Sequence, residues 1–467
     1  GYTVYNNATL DGPAASDQYA GIALRLQGGR GADDKGDAGR SGAGGDLRVE
    51  NYATISVTDL VFSAHGGDDS AQGLWDRSNI VYGIYAPSVG GEGRDAQAQD
   101  IGGGYGGHGG GGGTATLLNE GRILVGAGAG DGAERAGAVG ILLSSTAGSG
   151  GLRDTTDGEP HSGSGGDAKN VGLSNYRRID VCGSTVDGCE MGDDALTVTA
   201  AGIYTESLGG YGAKPTSSGG NGGSISLKNL ARITVEALVE RSGNAWGIHA
   251  VSGSGYAALD SKSIGTPGGH GGDAKAINIT HGGSIRVRAG DFDEAEGTTT
   301  DRACLETDDP ACTTVDVPDF VDQSAGILAA SYGSAAGASH DGTSEQDGGK
   351  GGDASANFNS TGLSDSAITL RRNASVDVAG DNVIGVGLYA QGGAGGLGNS
   401  TDSQGGDGGS VGALGVTLKT GATIQTSGEN AVGLIVHAKG GDGGGVRSPG
   451  GLADFNDDDV GEGGSTL

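Results

Sequence analysis

Basic residues are the first shortage. The chain has 467 residues, with 28 Lys and Arg against 58 Asp and Glu, a formal net charge of −30. The cations are few and scattered along the sequence. That argues against a nucleic-acid partner, because phosphate binding needs clustered Lys and Arg. The charge suits a highly solvated surface, or one that meets cations. Aromatic residues make up only 4% of the chain, so a conventional wide core would be thin. No apolar run reaches the roughly 18 residues of a membrane-spanning helix, so no transmembrane segment is expected. The opening GYTVYNNATL has neither a basic n-region nor an apolar h-region, so any signal peptide is expected to be removed or excluded.

Cysteine is also scarce. Cys182 and Cys189 bracket GSTVDG, and Cys304 and Cys312 bracket LETDDPA. No His or third Cys stands near either pair at zinc spacing. Two local disulfides are the reading, and they imply an oxidising compartment. Four free thiols are the alternative.

Glycine is what the chain has in excess. Its 103 glycines are about three times the usual share of roughly 7%. Such a composition leaves disorder or a repeat architecture with a core only a few residues wide. The repeats decide between them. A glycine that opens a short apolar strand recurs at Gly21, Gly83, Gly140, Gly202, Gly247, Gly326, Gly385 and Gly433. Period-2 patterning puts Ile22, Leu24 and Leu26 and their equivalents on one face. The fifth residue after the marker is Ser in five units: Ser88, Ser145, Ser207, Ser252 and Ser331. Stacked serines could bond along a ladder.

A second marker is GG followed by Asp, Ser or Thr and then a strand, as in GGDLRVEN, GGTATLLN, GGSISLKN and GGDASANF. A third is a short strand after a polar turn, as in ATISV, GRILV, RRIDV and ARITV. Each unit thus supplies three strands and two excursions. One coil cannot bury its apolar face alone, whereas stacked coils bury a continuous narrow core. The fold class expected is all-β, a parallel β-solenoid (β-helix) of about eight rungs. Its height is about 40 Å at roughly 4.8 Å per rung. The expected division is an N-terminal strand segment over 1–19, one solenoid domain over 20–451, and an acidic, glycine-rich tail or truncated rung over 452–467. Small inward residues (Ala, Ser, Val) would fit the interior.

The excursion after the first strand is glycine-rich, as in GGGYGGHGGGGG. It reads either as flexible loops or as extended threefold helices in which glycine lets backbones approach and bond. The other excursion is acidic and irregular, and both cysteine pairs fall there. In the unit Gly385–Val436 this second corner shrinks to a tight turn.

The pattern strand, GGxGGxGG, strand, N-x-G-x-I, A-x-G-I resembles the glycine-rich repeat passenger regions of bacterial autotransporters (type V secretion). The resemblance runs from about Ala20 to Gly451. Its clearest copies are GGDGGSVGALGVTLKTGATIQTSGENAVGLIVHAKGGDGG and GGNGGSISLKNLARITV. It implies a β-solenoid displayed on, or released from, the bacterial outer-membrane surface through a C-terminal β-barrel. No set of alternating strands for such a barrel closes this sequence, so a processed or truncated passenger is expected. Short disulfide loops fit export through a narrow pore. The implied roles are adhesion to a cell-surface or matrix partner, or self-association into extracellular fibres or layers.

Site chemistry is thinner. GGxGGD around Asp46, Asp167, Asp273 and Asp353 is similar to a calcium-binding nonapeptide. The large apolar residue expected two places later is replaced by Arg48, Lys169, Lys275 and Ser355. Asp starting a strand or capping a turn is the competing reading. The acidic pairs Asp68-Asp69, Asp193-Asp194 and Asp308-Asp309 and the run Asp457-Asp459 could take calcium adventitiously. No cofactor is expected beyond that ion. GxGxxG matches lie outside any strand-to-helix context and carry no dinucleotide site. His108, His270 and His340 read as solvated. A polysaccharide lyase or hydrolase is the alternative function. It needs carboxylates or a Lys/Arg base converging on one face, whereas the acids here sit in variable excursions. Trp75 and Trp246 could stack on sugars, though Trp246 stands at a strand start. No catalytic residue and no enzyme activity are expected. Sequons at Asn7, Asn278, Asn359, Asn373 and Asn399 matter only in a glycosylating host.

Overall fold

The computed structural model describes residues 2–11, 19–31, 41–62, 80–94, 106–129, 137–151, 163–182, 185–186, 189–190, 199–213, 217–237, 244–257, 269–289, 323–337, 347–355, 365–398, 403–445 and 462–465. Among them there is no helix, and the chain is a parallel β-solenoid built from three sheets. The first sheet stacks Tyr2–Asn6, Leu47–Asn51, Ala115–Asn119, Val171–Asn175, Ile225–Asn229, Ile277–His281, Ser366–Leu370 and Leu414–Leu418. The second stacks Leu10–Asp11, Ile55–Phe62, Ile123–Ala129, Ile179–Cys182, Ile233–Ala237, Ser284–Ala289, Ser375–Ala379 and Thr423–Ser427. The third begins with Tyr19–Ala23 and Leu26–Gln27. It continues through Ile80–Val89, Gly137–Thr146, Thr199–Leu208, Asn244–Gly253, Ala325–Tyr332, Ile384–Gln391 and Val432–Lys439. Each sheet therefore has eight levels. Residues 2–11 already form strands of the first level, and 462–465 extend the stack at the other end, where Val411 N–H donates to the Ser465 carbonyl at 2.8 Å.

Register holds the core together. Ile55, Ile123, Ile179, Ile233, Ile285 and Val376 occupy one inward row, and Val57, Val125, Val181, Val235, Val287 and Val378 the next. The facing row in the third sheet is Ile84, Ile141, Ile203, Ile248, Ile327 and Val386. All of these are buried in one cluster. The interior thus combines the small Val and Ala the sequence suggested with rows of Ile. Like residues on like suit β-branched side chains, whose stiff χ1 lets them nest in a parallel stack.

The marker glycine explains how so narrow a core closes. A Cβ at Gly83 would lie 2.4 Å from Ile123 Cγ2 and 2.6 Å from the Gly140 carbonyl oxygen. At Gly140 it would lie 2.5 Å from Ile179 Cγ2. Only glycine lets the third sheet come this close to the second.

One segment is organised differently from its sequence reading. Only 351–355 of GGDASANF are described. Its Ala354 makes an isolated bridge to Val411, and the first-sheet strand of that level is Ser366–Leu370. The last second-corner turns are tight, with Asn382 and Asn430 at φ 52° and 53° and Gly428 at φ 128°, conformations that Asn and Gly tolerate best.

Candidate functional site

The glycine-rich excursions are ordered next to the coils. Each leaves the third sheet as an outgoing arm and comes back to the first sheet as a return arm. Gly90 and Gly93 donate to the next outgoing arm at Thr146 and Ser149, 2.7 Å each, while Gly91 between them donates to the Gly42 carbonyl on a return arm at 2.9 Å. Antiparallel partners recur every third residue: Gly148 donates to Gly110 and Gly151 to Gly107, both at 2.8 Å. A repeat of three is that of an extended threefold helix, the ordered alternative of the two sequence readings. The bonds form a zigzag through the whole stack. It passes from Gly42 to Gly29, Gly91 to Gly42, Gly110 to Gly91 and Gly148 to Gly110, and ends with Gly464 to Gly441 at 2.7 Å. The result is a fin along one side of the solenoid.

Close approach dictates the composition. A Cβ at Gly219 would stand 1.7 Å from the Gly255 carbonyl oxygen, and one at Gly165 1.8 Å from that of Gly210. The glycines are there to make room for a neighbour's backbone.

Serine and asparagine fasten the fin and the coils. The five serines singled out in the sequence do not bond to one another. Ser207 Oγ donates to the Lys169 carbonyl at 2.8 Å and accepts from Gly223 N–H at 2.8 Å, so it ties two successive return arms. Ser88 does the same with Gly45 and Gly113 at 2.8 and 3.0 Å. Ser252 repeats it with Gly223 and Lys275 at 3.0 and 2.9 Å. At the far end of the first-sheet strands runs an amide ladder: Asn6 donates to Asn51, Asn51 to Asn119, Asn119 to Asn175 and Asn175 to Asn229, at 2.7–2.8 Å. Its sequence signal was the Asn that closes LRVEN, ATLLN and ISLKN at one offset.

The return arms present a polar face. Here N–H groups have no arm beyond them, and the side chain one level earlier accepts the bond. Asp46 Oδ1 accepts from Thr114 N–H at 2.9 Å, and Asp167 Oδ1 from Asn221 N–H at 2.8 Å. Asp273 Oδ1 accepts from Asp353 N–H at 3.0 Å, and Asp353 Oδ1 from Ser410 N–H at 2.8 Å. The four aspartates of the calcium-like motif therefore act as backbone acceptors between successive levels rather than as caps of their own turns. Lys275 Nζ lies 3.3 Å from Asp273 and Lys350 Nζ 3.5 Å from Asp353. His108 and His270 join the same face: their Nδ1 atoms accept from Ser164 N–H at 3.1 Å and Lys350 N–H at 3.0 Å.

The outer face of the third sheet is buried too, around Tyr82, Tyr204, Trp246 and Tyr389. Trp246 donates its indole N–H to the Gln323 carbonyl at 2.9 Å and lies against His249, ring centroids 4.9 Å apart. It packs rather than offering a sugar platform. Burial pushes the Tyr389 hydroxyl well above its ordinary value. On the first sheet, the Tyr52 hydroxyl donates to Glu50 and, with Arg48 beside it, holds that carboxyl below the usual range.

Cys182 closes its second-sheet strand and is disulfide-bonded. Cys189 lies in a two-residue strand that pairs antiparallel with Thr185–Val186, and its side chain lies outside the described ones. Cys304, Cys312, Trp75, His340, Asn359, Asn399 and the acidic pairs at 68–69, 193–194, 308–309 and 457–459 lie outside the described residues. Compared with known proteins, the chain matches no protein-family model, no curated protein and no solved structure.

Proposed function

We propose that the chain is a cell-surface scaffold of a bacterium, an autotransporter-type passenger whose rigid solenoid and fin hold out sequence-variable loops for adhesion or lateral assembly. The observation that carries this reading is the hydrogen-bond zigzag from Gly29 to Gly464, which couples every described arm to the next. A plate of that kind resists bending and fixes the spacing of whatever its arms carry. The disulfide at Cys182 fits an oxidising compartment. We assign its partner as Cys189, because the small hairpin turns the chain back toward it.

The test fuses residues 1–467 to an outer-membrane β-barrel in a bacterial host. Display, measured by antibody labelling of intact cells, should be followed by adhesion or cell–cell clumping that the barrel alone does not give. Negative-stain images of the purified chain then separate the two roles, with filaments or sheets for assembly and single rods for adhesion. Efficient cleavage of polysaccharides by the purified chain would overturn both.

A further inference from the structure

The turns that join the first sheet to the second run along one edge of the solenoid. They comprise 7–9, 52–54, 120–122, 176–178, 230–232, 282–283, 371–374 and 419–422. Residues that look scattered in the sequence meet there. Arg177, Arg232, Arg371, Arg372 and Lys419 stand exposed on these turns, and Arg286 stands exposed just past the turn that carries no cation. Glu120 is the only carboxylate on the same turns.

The ion pairs of this edge use other arginines. Arg122 and Arg178 close on buried Asp180 at 3.2 and 2.5 Å, and Arg288 meets Asp377 at 2.8 Å. Among the described residues, none of the six exposed cations has a carboxylate within ion-pairing distance. Two are held in place by neutral contacts. Arg177 Nε donates to the Glu120 carbonyl at 3.3 Å, and Arg232 Nε to Thr234 Oγ1 at 3.0 Å. Arg371 lays its stem over the cation-free turn, since a Cβ on Gly282 would lie 3.1 Å from its Cδ. Glu236 lies in the field of Arg286, Arg288 and Arg232, and desolvation pushes its carboxyl up.

We propose that this edge binds a linear anionic polysaccharide laid along the stack axis. Three features select that partner. The cations run through five successive levels, about 19 Å from first to last at roughly 4.8 Å per level, which matches an extended polymer. Five of the six are arginines, whose forked donors fit carboxylate and sulfate. The edge is a convex ridge about one turn wide, which gives a folded partner too little area for a stable interface of roughly 800 Å² per side. The formal charge of −30 repels polyanions from the rest of the surface, so binding is confined to the ridge. The inference stands apart from surface display, because it concerns the purified chain.

The experiment passes the purified full chain over immobilised heparin, immobilised polygalacturonate and uncharged dextran. Retention on at least one acidic polymer near 50 mM salt, release by about 0.5 M salt, and no retention on dextran are expected. The two acidic polymers separate sulfate from carboxylate preference. The triple variant Arg371→Ser/Arg372→Ser/Lys419→Ser should lose about tenfold or more in affinity, with an unchanged circular dichroism spectrum. The control Lys350→Ser removes an exposed cation from the fin and should bind as the parent does. Absence of retention at low salt, equal binding by the triple variant, or displacement of the glycan by duplex DNA at lower concentration would overturn the proposal. So would salt-sensitive self-association without glycan binding, which would make the ridge a contact between copies.

Discussion

Asn229 Nδ2 lies 2.9 Å from His281 Nδ1, and with that contact the buried amide ladder ends. The amide is a donor, so Nδ1 must accept and the imidazole must be neutral. At the next level the position is Leu370, which cannot continue the chain of bonds. Burial holds the His281 pKa down at about 4, against the ordinary 6.5.

This gives a pH dependence. The unfolded chain binds a proton on His281 below about 6.5, while the folded chain resists it down to about 4, so stability falls as pH drops through that window. At 1.36 kcal/mol per unit, the full loss is about 3 kcal/mol. His281→Asn keeps an amide acceptor for Asn229 without a titrating group. Urea melts at pH 7 should be close to the parent, and those at pH 4.5 should show the variant more stable. A parallel pH dependence in both proteins would refute the assignment.

Gly219→Ala places a methyl group 1.7 Å from the Gly255 carbonyl. The arms must separate, at a cost of roughly 1–3 kcal/mol, and amide exchange should speed up at Gly220 and Gly255. Gly29→Ala is the control, with nothing within 4 Å of its Cβ, and its stability should not fall.

Ser207→Ala removes one donor and one acceptor and strands Gly223 N–H in a buried site. The expected loss is about 1–3 kcal/mol, with faster exchange at Gly223. Ser207→Cys keeps a group of similar size but a weaker donor and should fall between the two.

Asn175→Ala breaks the ladder on both sides, leaving the Asn119 amide donor and the Asn229 acceptor without their 2.7 Å partners. A loss of about 2 kcal/mol is expected. Asn430→Gly removes the exposed bond to Asn382 while keeping the left-handed turn, and should cost less than half as much in the same chemical-denaturation assay.

Non-reducing peptide mapping tests the Cys182 assignment. A peptide that joins Cys182 to Cys189 is expected, and a link from Cys182 to Cys304 or Cys312 would contradict it.

Much of the architecture was legible in the sequence because it rests on local periodicity. The spacing of Gly21, Gly83 and Gly140 located the third sheet, and ATISV, GRILV and RRIDV located the second. Inward and outward faces followed from alternation. The serines were marked out by their constant offset from the marker glycine, but their partners were not. Ser207 bonds to Lys169 and Gly223, and which backbone groups lie there depends on how two arms stack. The aspartates of GGxGGD were legible as acceptors, yet the atoms they accept from belong to the next level, some 54 to 80 residues away.

By itself the sequence determined the coil, since a strand of alternating Val and Ile between glycine markers has only one way to bury so narrow a face. It also determined that the chain would be acidic and rich in glycine, while leaving open whether the glycine excursions are flexible or packed. Only the tertiary structure decided which residues share a surface. Stacking in register brings positions about 50 residues apart to within one strand spacing. That collects the cations of Arg177, Arg232 and Arg371 onto one edge of a chain whose charge is otherwise strongly negative. It also turns isolated glycines into a continuous fin, because each N–H must find its acceptor on a neighbouring arm rather than along its own chain.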